Sequence, residues 1–203
     1  MNIQDKGSNN EIKTESVLGS VNIEMAGDGN KIHIGPNVRV QSAEIIFRGN
    51  GSSILIEDNC RFGNLRVIIQ DSAKIIIGRN STIEQTYLLA RDGRMITLGE
   101  DCMISFQTDF RTSDAHGIYD KDSRQLLNFP GDIVIGNHVW IGQGCWISKN
   151  TIINSGAVIG AKTMVQNDVI PENSIYAGTP GRVIRNGVVW TRNIILDGLP
   201  LNN

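Results

Sequence analysis

Aliphatic residues recur with a period of six along the C-terminal half of this chain. The run begins at Ile135, stays aliphatic as far as Val165, and continues in the same phase at Pro171, Ala177 and Val183. An α-helix repeats every ~3.6 residues and a strand every ~2, so neither element produces this period. A triangular coil of three short strands, each about six residues long, does produce it. The pattern therefore predicts an all-β fold, a triangular β-solenoid whose parallel coils bury one continuous aliphatic column.

A related motif recurs upstream with a longer repeat. Two aliphatic residues flank one variable position and precede a polar turn, in copies that start at Ile32, Ile54, Ile75, Ile96 and Ile133. The starts lie 22, 21, 21 and 37 residues apart, and each copy follows residues that favour turns. We therefore predict longer coils with a looser corner upstream, and an insertion that leaves the solenoid between Ile96 and Ile133.

The fifth position of each six-residue repeat is small or β-branched, and it is also predicted to point inward. Cys60, Cys102 and Cys145 occupy this position. Because a buried unpaired cysteine usually behaves as a small hydrophobic residue, we interpret all three as core thiols and not as catalytic groups. Their odd number and the lack of CxxC spacing argue against a disulfide framework and against a zinc site.

The same patterns predict the domain organisation. Residues 1–16 are polar and are expected to be flexible, because they offer little apolar surface to bury. Residues 17–185 are assigned to the β-helix domain, with an inserted loop over 109–131 that breaks the six-residue rhythm. Residues 186–203 form a C-terminal extension, and the tail after Pro200 is expected to be mobile.

Charge and hydropathy exclude two classes of partner. The 19 Lys and Arg residues against 21 Asp and Glu residues leave a net charge of −2, so no general positive field attracts nucleic acid. No run approaches the ~18 consecutive apolar residues of a membrane-spanning helix, so no membrane span is expected. The polar N-terminus lacks the apolar stretch of a secretion signal, which predicts a cytoplasmic location.

The predicted insertion collects polar residues around one histidine, His116. An imidazole can accept a proton near neutral pH and return it, so His116 is the candidate general base. The other histidines, His33 and His138, are interpreted as surface residues because each neighbours an inward-facing aliphatic position. No metal is expected, since a zinc site of this kind needs three closely placed ligands and the sequence contains no His-x4-His pair.

Two blocks of sequence carry a family resemblance. Residues 135–183, and in particular IPENSIYAGTPGRVI over 170–184, resemble the hexapeptide-repeat acyltransferases. The segments TSDAHGIYD (112–120) and DIVIGNHVWIG (132–142) are similar to the polysaccharide and sialic-acid O-acetyltransferase branch. The resemblance implies a left-handed parallel β-helix, a homotrimer with sites between subunits, and acetyl-CoA as the co-substrate.

The resemblance also implies roles for individual residues. His116 and Trp140 match the histidine and tryptophan that form the functional pair of this branch. The predicted acetyl-CoA contacts are Trp140, Gly160, Ala161, Lys162, Thr179, Pro180, Arg182 and Arg185. The predicted acceptor contacts in the loop are Ser113, Asp114 and Tyr119. The cationic side chains near the C-terminal coils would meet the phosphates of the donor, and solvated surface charge is the alternative reading of each.

Trp140 precedes an inward-facing position and should therefore project outward. Its indole would line the donor or sugar site, and packing against a neighbouring subunit is the alternative. The oxyanion donor is predicted to be a backbone N–H or the Trp140 indole. Outward-facing Trp140, Trp146 and Tyr176 would expose apolar patches that a monomer rarely leaves bare, which favours the homotrimer.

These expectations converge on an acetyl-CoA-dependent O-acetyltransferase that works by direct transfer with a histidine base. The acceptor would be a sugar hydroxyl of a cell-surface polysaccharide or its precursor, of the capsular or lipopolysaccharide type, with sialic-acid polymers among the candidates. One alternative is an N-acetyltransferase that modifies the amino group of a nucleotide-linked sugar, because histidine can deprotonate either nucleophile. The other alternative is a non-catalytic solenoid that serves ligand binding or protein assembly. Such a protein would not need the His116 loop.

Overall fold

The computed structural model describes residues 1–199, so the mobility predicted for the tail after Pro200 concerns residues outside this range. Every regular element within the range is a β-strand, which confirms the predicted all-β fold. The strands are β1 (Asn2–Asp5), β2 (Glu11–Thr14), β3 (Ser20–Ala26), β4 (Lys31–Ile34), β5 (Arg39–Arg48), β6 (Ser53–Ile56), β7 (Arg61–Gln70), β8 (Lys74–Ile77), β9 (Thr82–Ala90), β10 (Met95–Leu98), β11 (Met103–Ile104), β12 (Thr108–Arg111), β13 (Ile133–Ile135), β14 (Trp140–Ile141), β15 (Trp146–Ser148), β16 (Thr151–Ile153), β17 (Val158–Ile159), β18 (Met164–Val165), β19 (Val169–Ile170), β20 (Ser174–Gly178) and β21 (Gly181–Asn186).

The strands stack into two sheets that wind around a common core. One sheet follows the order β1-β3-β5-β7-β9-β11-β14-β17-β20-β21, and the other runs from β2 through the even strands to β10 and on through β13 and β16 to β19. Strand β9 pairs with both β11 and β12, so the wide sheet divides there. Beyond this point face 1 contains β11, β14, β17 and β20, face 2 contains β12, β15 and β18, and face 3 contains β10, β13, β16 and β19. The result is the predicted triangular β-solenoid.

The core is the stack of inward-facing aliphatic side chains. On face 3, Leu98, Ile135, Ile153 and Ile170 lie opposite one another in successive coils. Each of the four is at most 1% exposed. Alignment of equivalent residues from coil to coil is what the six-residue period requires, because three strands of one coil return the chain to the same face.

The predicted phase breaks after Val165. The next inward residue is Ile170, five positions later, and the one after it is Tyr176. A one-residue slip exchanges the two faces of a strand, so the neighbouring positions turn outward. The inward positions predicted at Pro171, Ala177 and Val183 are therefore wrong. Val183 is 39% exposed because β21 runs antiparallel to β20 and forms a hairpin, not another coil.

Tyr176 is a second consequence of the slip. It was expected to face outward, but it is only 5% exposed. Its hydroxyl donates a hydrogen bond of 2.7 Å to Asp168 Oδ2. Burial, together with the neighbouring carboxylate, raises the pKa of Tyr176 to about 12. The apolar surface predicted for face 1 therefore lacks this residue.

Residues 1–16, predicted to be flexible, form the first coil of the solenoid instead. Strand β1 pairs in parallel with β3, and β2 pairs with β4. The side chains of β1 are all exposed, and Ile12 of β2 packs against the core. Parallel pairing uses backbone N–H and C=O groups, which a polar sequence supplies as well as an apolar one.

The three cysteines lie in the core as predicted. Cys60, Cys102 and Cys145 are at most 1% exposed, and all three are free thiols. Burial raises the pKa of Cys60 and of Cys102 to about 11, and it raises the pKa of Cys145 as well. A thiol with a raised pKa is a poor nucleophile at neutral pH, since the thiolate is the reactive form.

Candidate active site

The insertion leaves the solenoid at the corner between faces 2 and 3. Strand β12 stays in the solenoid as far as Arg111, so the insertion begins later than the predicted residue 109. The backbone N–H of Gly131 donates to the carbonyl of Thr112 at 2.9 Å and closes the neck of the loop. Beyond the neck the chain forms a short antiparallel hairpin, in which Tyr119 bridges Leu126. A rigid scaffold thus carries a compact loop, an arrangement that often serves function.

A buried lysine from the next coil holds this loop. The side chain of Lys149 is 5% exposed, and its ammonium donates to the Asp114 carboxylate and, at 3.2 Å, to the carbonyl of Asn128. Asn128 Nδ2 donates to Asp114 Oδ2 and to the carbonyl of His116, both at 2.8 Å. Asn128 Oδ1 accepts a 2.7 Å bond from the N–H of Ile118. We call Asp114, Asn128 and Lys149 the loop clamp, because together they fix the backbone on both sides of His116.

The clamp also sets the charge of Asp114. The hydrogen bond from Lys149 lowers the pKa of the Asp114 carboxyl, and the amide of Asn128 lowers it further against the opposing effect of partial burial. The carboxylate is therefore ionised at neutral pH and neutralises the buried ammonium. A buried lysine without such a partner would be costly, so the pair belongs to the structure of the loop.

His116 itself projects from the loop into solvent. The preceding Ala115 adopts a left-handed conformation with φ 66°, and its N–H donates to Ser113 Oγ at 3.2 Å. The ring of Tyr119 lies over Gly117, where an added Cβ would come within 2.6 Å of Tyr119 Cε2. Tyr119 is 61% exposed and Ser113 is 8% exposed. Of the predicted acceptor residues, Tyr119 is exposed over Gly117, Ser113 supports the turn and Asp114 belongs to the loop clamp.

Trp140 lies on face 1, away from the loop. It projects outward as predicted and is 38% exposed. Its neighbours in the ladder are Met103 below and Val158 above. A cavity of about 460 Å³ opens in front of it, with Arg61 and Arg192 among the lining side chains. An indole at the edge of such a cavity can pack on a ligand and offer its N–H.

The residues predicted for the donor gather on the same side of the solenoid. Gly160, Ala161 and Lys162 form the corner between faces 1 and 2, and Thr179 Oγ1 donates to the carbonyl of Lys162 at 3.2 Å. A Cβ at Gly160 would come within 2.7 Å of the Ala177 Cβ, so the coils approach closely there. The structure thus brings Gly160, Ala161, Lys162 and Thr179 together.

The remaining predicted donor residues lie on the terminal hairpin. Arg182 and Arg185 sit on β21 opposite Ala177 and Ile175. Because Trp140, Val158 and Ile175 are successive partners, Arg185 ends the column that contains Trp140. Among residues 1–199, no ion pair involves Lys162, Arg182 or Arg185. Pro180 lines a separate cavity of about 300 Å³.

The fold does not bring His116 and Trp140 together within one chain. The loop leaves the corner between faces 2 and 3, and this corner is opposite face 1 of the triangular coil. The loop that carries His116 and the side chain of Trp140 lie at the same level along the solenoid axis, because the loop connects the coil of Met103 to the coil of Trp140. The candidate base and the candidate indole therefore occupy opposite sides of the prism.

Comparison with known proteins identifies the fold and a group of similar enzymes. No family model matches the chain. The chain is 27% identical over 192 residues to a polysialic acid O-acetyltransferase of Neisseria meningitidis, covering 94% of this chain and 89% of that enzyme. The crystal structure of the polysialic acid O-acetyltransferase OatWY matches with a TM-score of 0.94 at 25% identity, over 98% of this chain and 95% of that one. The polySia-specific acetyltransferase NeuO matches with a TM-score of 0.85 at 29% identity, over 95% and 89%. In sequence and fold the chain is therefore similar to polysialic acid O-acetyltransferases.

These similarities confirm two earlier expectations, the hand of the solenoid and the type of enzyme. The solenoid is a left-handed parallel β-helix, as the resemblance implied. The protein is an O-acetyltransferase. Handedness could not come from the period, because the general rule for parallel crossovers favours the opposite hand.

Sequence reasoning about this acyltransferase missed a polar and aromatic cluster next to Trp140. His138, interpreted as a surface residue, is half-buried: its Nδ1 lies 2.7 Å from Asp101 Oδ2, and its ring stacks on Trp190 with centroids 3.9 Å apart. Arg192 donates to Asp101 Oδ1 at 2.7 Å through Nη2. The six-residue repeat does not predict these contacts, because Trp190 and Arg192 lie in the extension beyond the repeats.

The other histidine and the acidic side chains of the acyltransferase form no further site. His33 lies exposed on β4, as predicted, 3.4 Å from Glu15 Oε1. Within residues 1–199, no group of three His, Cys, Asp or Glu side chains is close enough to hold a metal ion. The same residues contain no helix of the length and hydropathy needed to cross a bilayer.

Proposed function

We propose that this chain transfers the acetyl group of acetyl-CoA to a sugar hydroxyl of a sialic-acid-containing capsular polysaccharide or its precursor. The observation that carries the proposal is His116, an exposed imidazole whose backbone is held by the loop clamp. The acceptor class comes from the relatives, since the Neisseria meningitidis enzyme and both crystal structures are described as acting on polysialic acid.

The reaction needs a base, an oxyanion donor and a place for the thioester. His116 takes the proton of the acceptor hydroxyl while the hydroxyl oxygen attacks the thioester carbonyl. The imidazolium then returns this proton to the departing thiolate of CoA. The Trp140 indole N–H or a backbone N–H stabilises the oxyanion of the tetrahedral intermediate. Transfer is direct, because the cysteines of the chain are buried with raised pKa values and cannot serve as nucleophiles.

The donor lies along face 1 and its corner with face 2. Arg185 lies in the same ladder column as Trp140, about three strand spacings of ~4.8 Å away. The thioester would lie at Trp140, the pantetheine arm along Gly160 and Ala161, and the phosphates at Lys162, Arg182 and Arg185. A donor of this kind implies a cytoplasmic reaction, where acetyl-CoA is made.

The complete site forms between two subunits of a homotrimer. A three-fold axis parallel to the solenoid keeps equivalent residues at one level, so the loop of one subunit can reach face 1 of the next. The loop is built for such a contact: Ile118, Leu127 and Phe129 are 58%, 60% and 61% exposed. Large apolar side chains clustered on one loop favour burial against a partner.

The deciding experiment is acetyl transfer to a defined glycan. Purified protein is incubated with acetyl-CoA and polysialic acid, neutral glycans or amino sugars, and release of the CoA thiol is followed. We expect release with polysialic acid, and a product whose acetyl group is removed by mild alkali, as an ester is and an amide is not. An alkali-stable acetyl group would indicate the N-acetyltransferase alternative. No release with any acceptor would favour the non-catalytic solenoid.

A further inference from the structure

The C-terminal extension folds back over the solenoid. After β21 the chain turns at Gly187, which has φ 69°, and the N–H of Val188 donates to the carbonyl of Asn173 at 2.8 Å. Further on, Arg192 Nη1 donates to Thr82 Oγ1 at 2.9 Å, 110 residues away in sequence. The segment 187–193 therefore crosses several coils and ends beside the cavity in front of Trp140.

Trp190 is the most buried residue of this segment, at 6% exposure. Its Nε1 donates to the carbonyl of His138 at 2.8 Å, and its ring lies nearly parallel to the imidazole, with an interplanar angle of 7°. His138 Nε2 lies 3.1 Å from the carbonyl of Trp190, and Nδ1 faces Asp101. Asp101 in turn pairs with Arg192, so Trp190 and Arg192 are held at the same place.

Trp190 also packs against Trp140. The two ring centroids are 6.1 Å apart with an interplanar angle of 48°. An outward side chain on a strand can adopt several rotamers, and a neighbour that covers one side of it selects among them. Trp140 therefore packs against Trp190 and also lines the open cavity, together with Arg192.

Trp190 contributes little to the main core. It lies outside the contiguous hydrophobic cluster that fills the solenoid, and it covers a half-buried imidazole instead. A residue with this placement is not required for the coils to stack. Its contacts are directed at His138 and Trp140, the two residues on either side of Val139.

We infer that segment 187–193 is a strap that positions Trp140 for acetyl transfer, with Trp190 as the positioning residue and the pair of Asp101 and Arg192 as its anchor. The inference rests on the proposed function, in which Trp140 contacts the donor or the transferred group. Trp190 is covered and does not touch substrate. Its role is to hold the indole of Trp140 in one orientation beside the cavity.

The test is a double-mutant cycle with acetyl-CoA and polysialic acid as substrates. Trp190→Ala should lower kcat/KM about ten- to a hundredfold, within the range that small misplacements of a reacting group cost. In the Trp140→Ala background the same change should have less than about a twofold further effect, because the residue it positions is gone. Because the Trp190 side chain is buried, its removal also lowers the melting temperature, so transfer is assayed well below the melting temperature of the variant. Trp146→Ala, on face 2 and 40% exposed, is the matched control.

A second measurement reads the packing without substrate. Two indoles at this separation couple in the far-ultraviolet circular dichroism spectrum. Trp140→Phe and Trp190→Phe should each abolish the same signal, and Trp146→Phe should retain it. If Trp190→Phe leaves the signal unchanged, the strap does not hold Trp140 and the inference is wrong.

The outcomes separate the inference from the proposed function. If Trp140→Ala abolishes transfer but Trp190→Ala does not, the strap has no positioning role and the proposed function stands. If the two effects multiply fully, Trp190 does not act through Trp140 and the segment is purely structural, which also overturns the inference. If Trp140→Ala retains full transfer, the role proposed for Trp140 is wrong and the inference is wrong with it.

Discussion

His116 is the proposed general base, and its side chain makes no hydrogen bond or ion pair within residues 1–199. The backbone carbonyl of His116 accepts a hydrogen bond from Asn128 Nδ2, and the imidazole is exposed. A residue of this kind can be changed without disturbing the packing of its neighbours. Function and stability are therefore separable at this position.

We expect His116→Ala to lower kcat by ~10²–10⁴, the range for a lost general base, with acetyl-CoA affinity and melting temperature nearly unchanged. Steady-state kinetics, a binding titration and thermal unfolding measure the three quantities. His33→Ala, which removes another exposed histidine, should match the parent. A His116→Ala protein that keeps more than about a third of parental turnover contradicts the mechanism, because a general base is worth far more.

Asp114 makes the stability of the protein depend on pH. Its pKa is lowered in the folded state from the ordinary 3.8, so its stabilising effect is complete above that value. The effect is lost as the pH falls through the lower folded-state pKa, because protonation breaks the pair with Lys149. Asp114→Asn should therefore melt at a lower temperature than the parent at pH 7, with a difference that narrows below the ordinary pKa. Thermal unfolding across the acid range measures this, and a pH-independent difference contradicts it.

At the scale of the element, the loop owes its order to a residue outside itself. Lys149 follows β15 and is 35 positions from Asp114 in sequence. The hairpin between Tyr119 and Leu126 can form locally, and the Lys149 ammonium ties both sides of the loop to the solenoid through Asp114 and Asn128. The six-residue period predicts where the insertion leaves the coil and contains no information about what holds it.

We expect Lys149→Met to loosen the loop and leave the coils intact, because methionine fills the buried space but cannot pair with Asp114. Turnover should fall at least about tenfold, since misplacement of a reacting group by about 1 Å is costly. Limited proteolysis should cut first within 112–131. Lys162→Met, at an exposed corner, is the matched control for the proteolysis, and its loop should be cut no faster than that of the parent. An uncut loop with normal turnover in Lys149→Met would show that the clamp is dispensable.

At the scale of the whole molecule, the proposed site needs a second subunit if His116 and Trp140 are to act together. They lie on opposite sides of one prism, and the loop exposes apolar side chains. Light scattering at micromolar concentration should give three times the 22.3 kDa mass of the chain. Leu127→Asp should lower that mass, because a carboxylate would be buried at the contact. A parental protein that scatters as a single chain contradicts the trimer.

Mixing two inactive variants tests the shared site directly. His116→Ala supplies an intact Trp140 and Trp140→Ala an intact His116, so a mixed trimer holds one complete site. Random assembly at equal amounts makes about three quarters of the trimers mixed, which restores about a quarter of parental activity. Each variant alone is the control. No recovery after co-expression would place both residues of each site in one chain.

The sequence by itself determined the solenoid, the core cysteines, the insertion and the histidine within it. These follow from side-chain chemistry repeated at short range, and a strict six-residue period admits one architecture. The outward direction of Trp140 follows from the same repeat.

Only the tertiary structure decided the first coil, the slip after Val165, the loop clamp and the return of Trp190 to Trp140. The first coil forms through backbone hydrogen bonds, which leave no trace in hydropathy. The change of phase after Val165 arises because the corner before Ile170 is one residue shorter than the other corners. The clamp and the strap join positions 35 and 52 residues apart, and such contacts depend on how the coils stack in three dimensions. A period read along the chain describes each coil, whereas the residues that position the site act between coils and across the ends of the repeat.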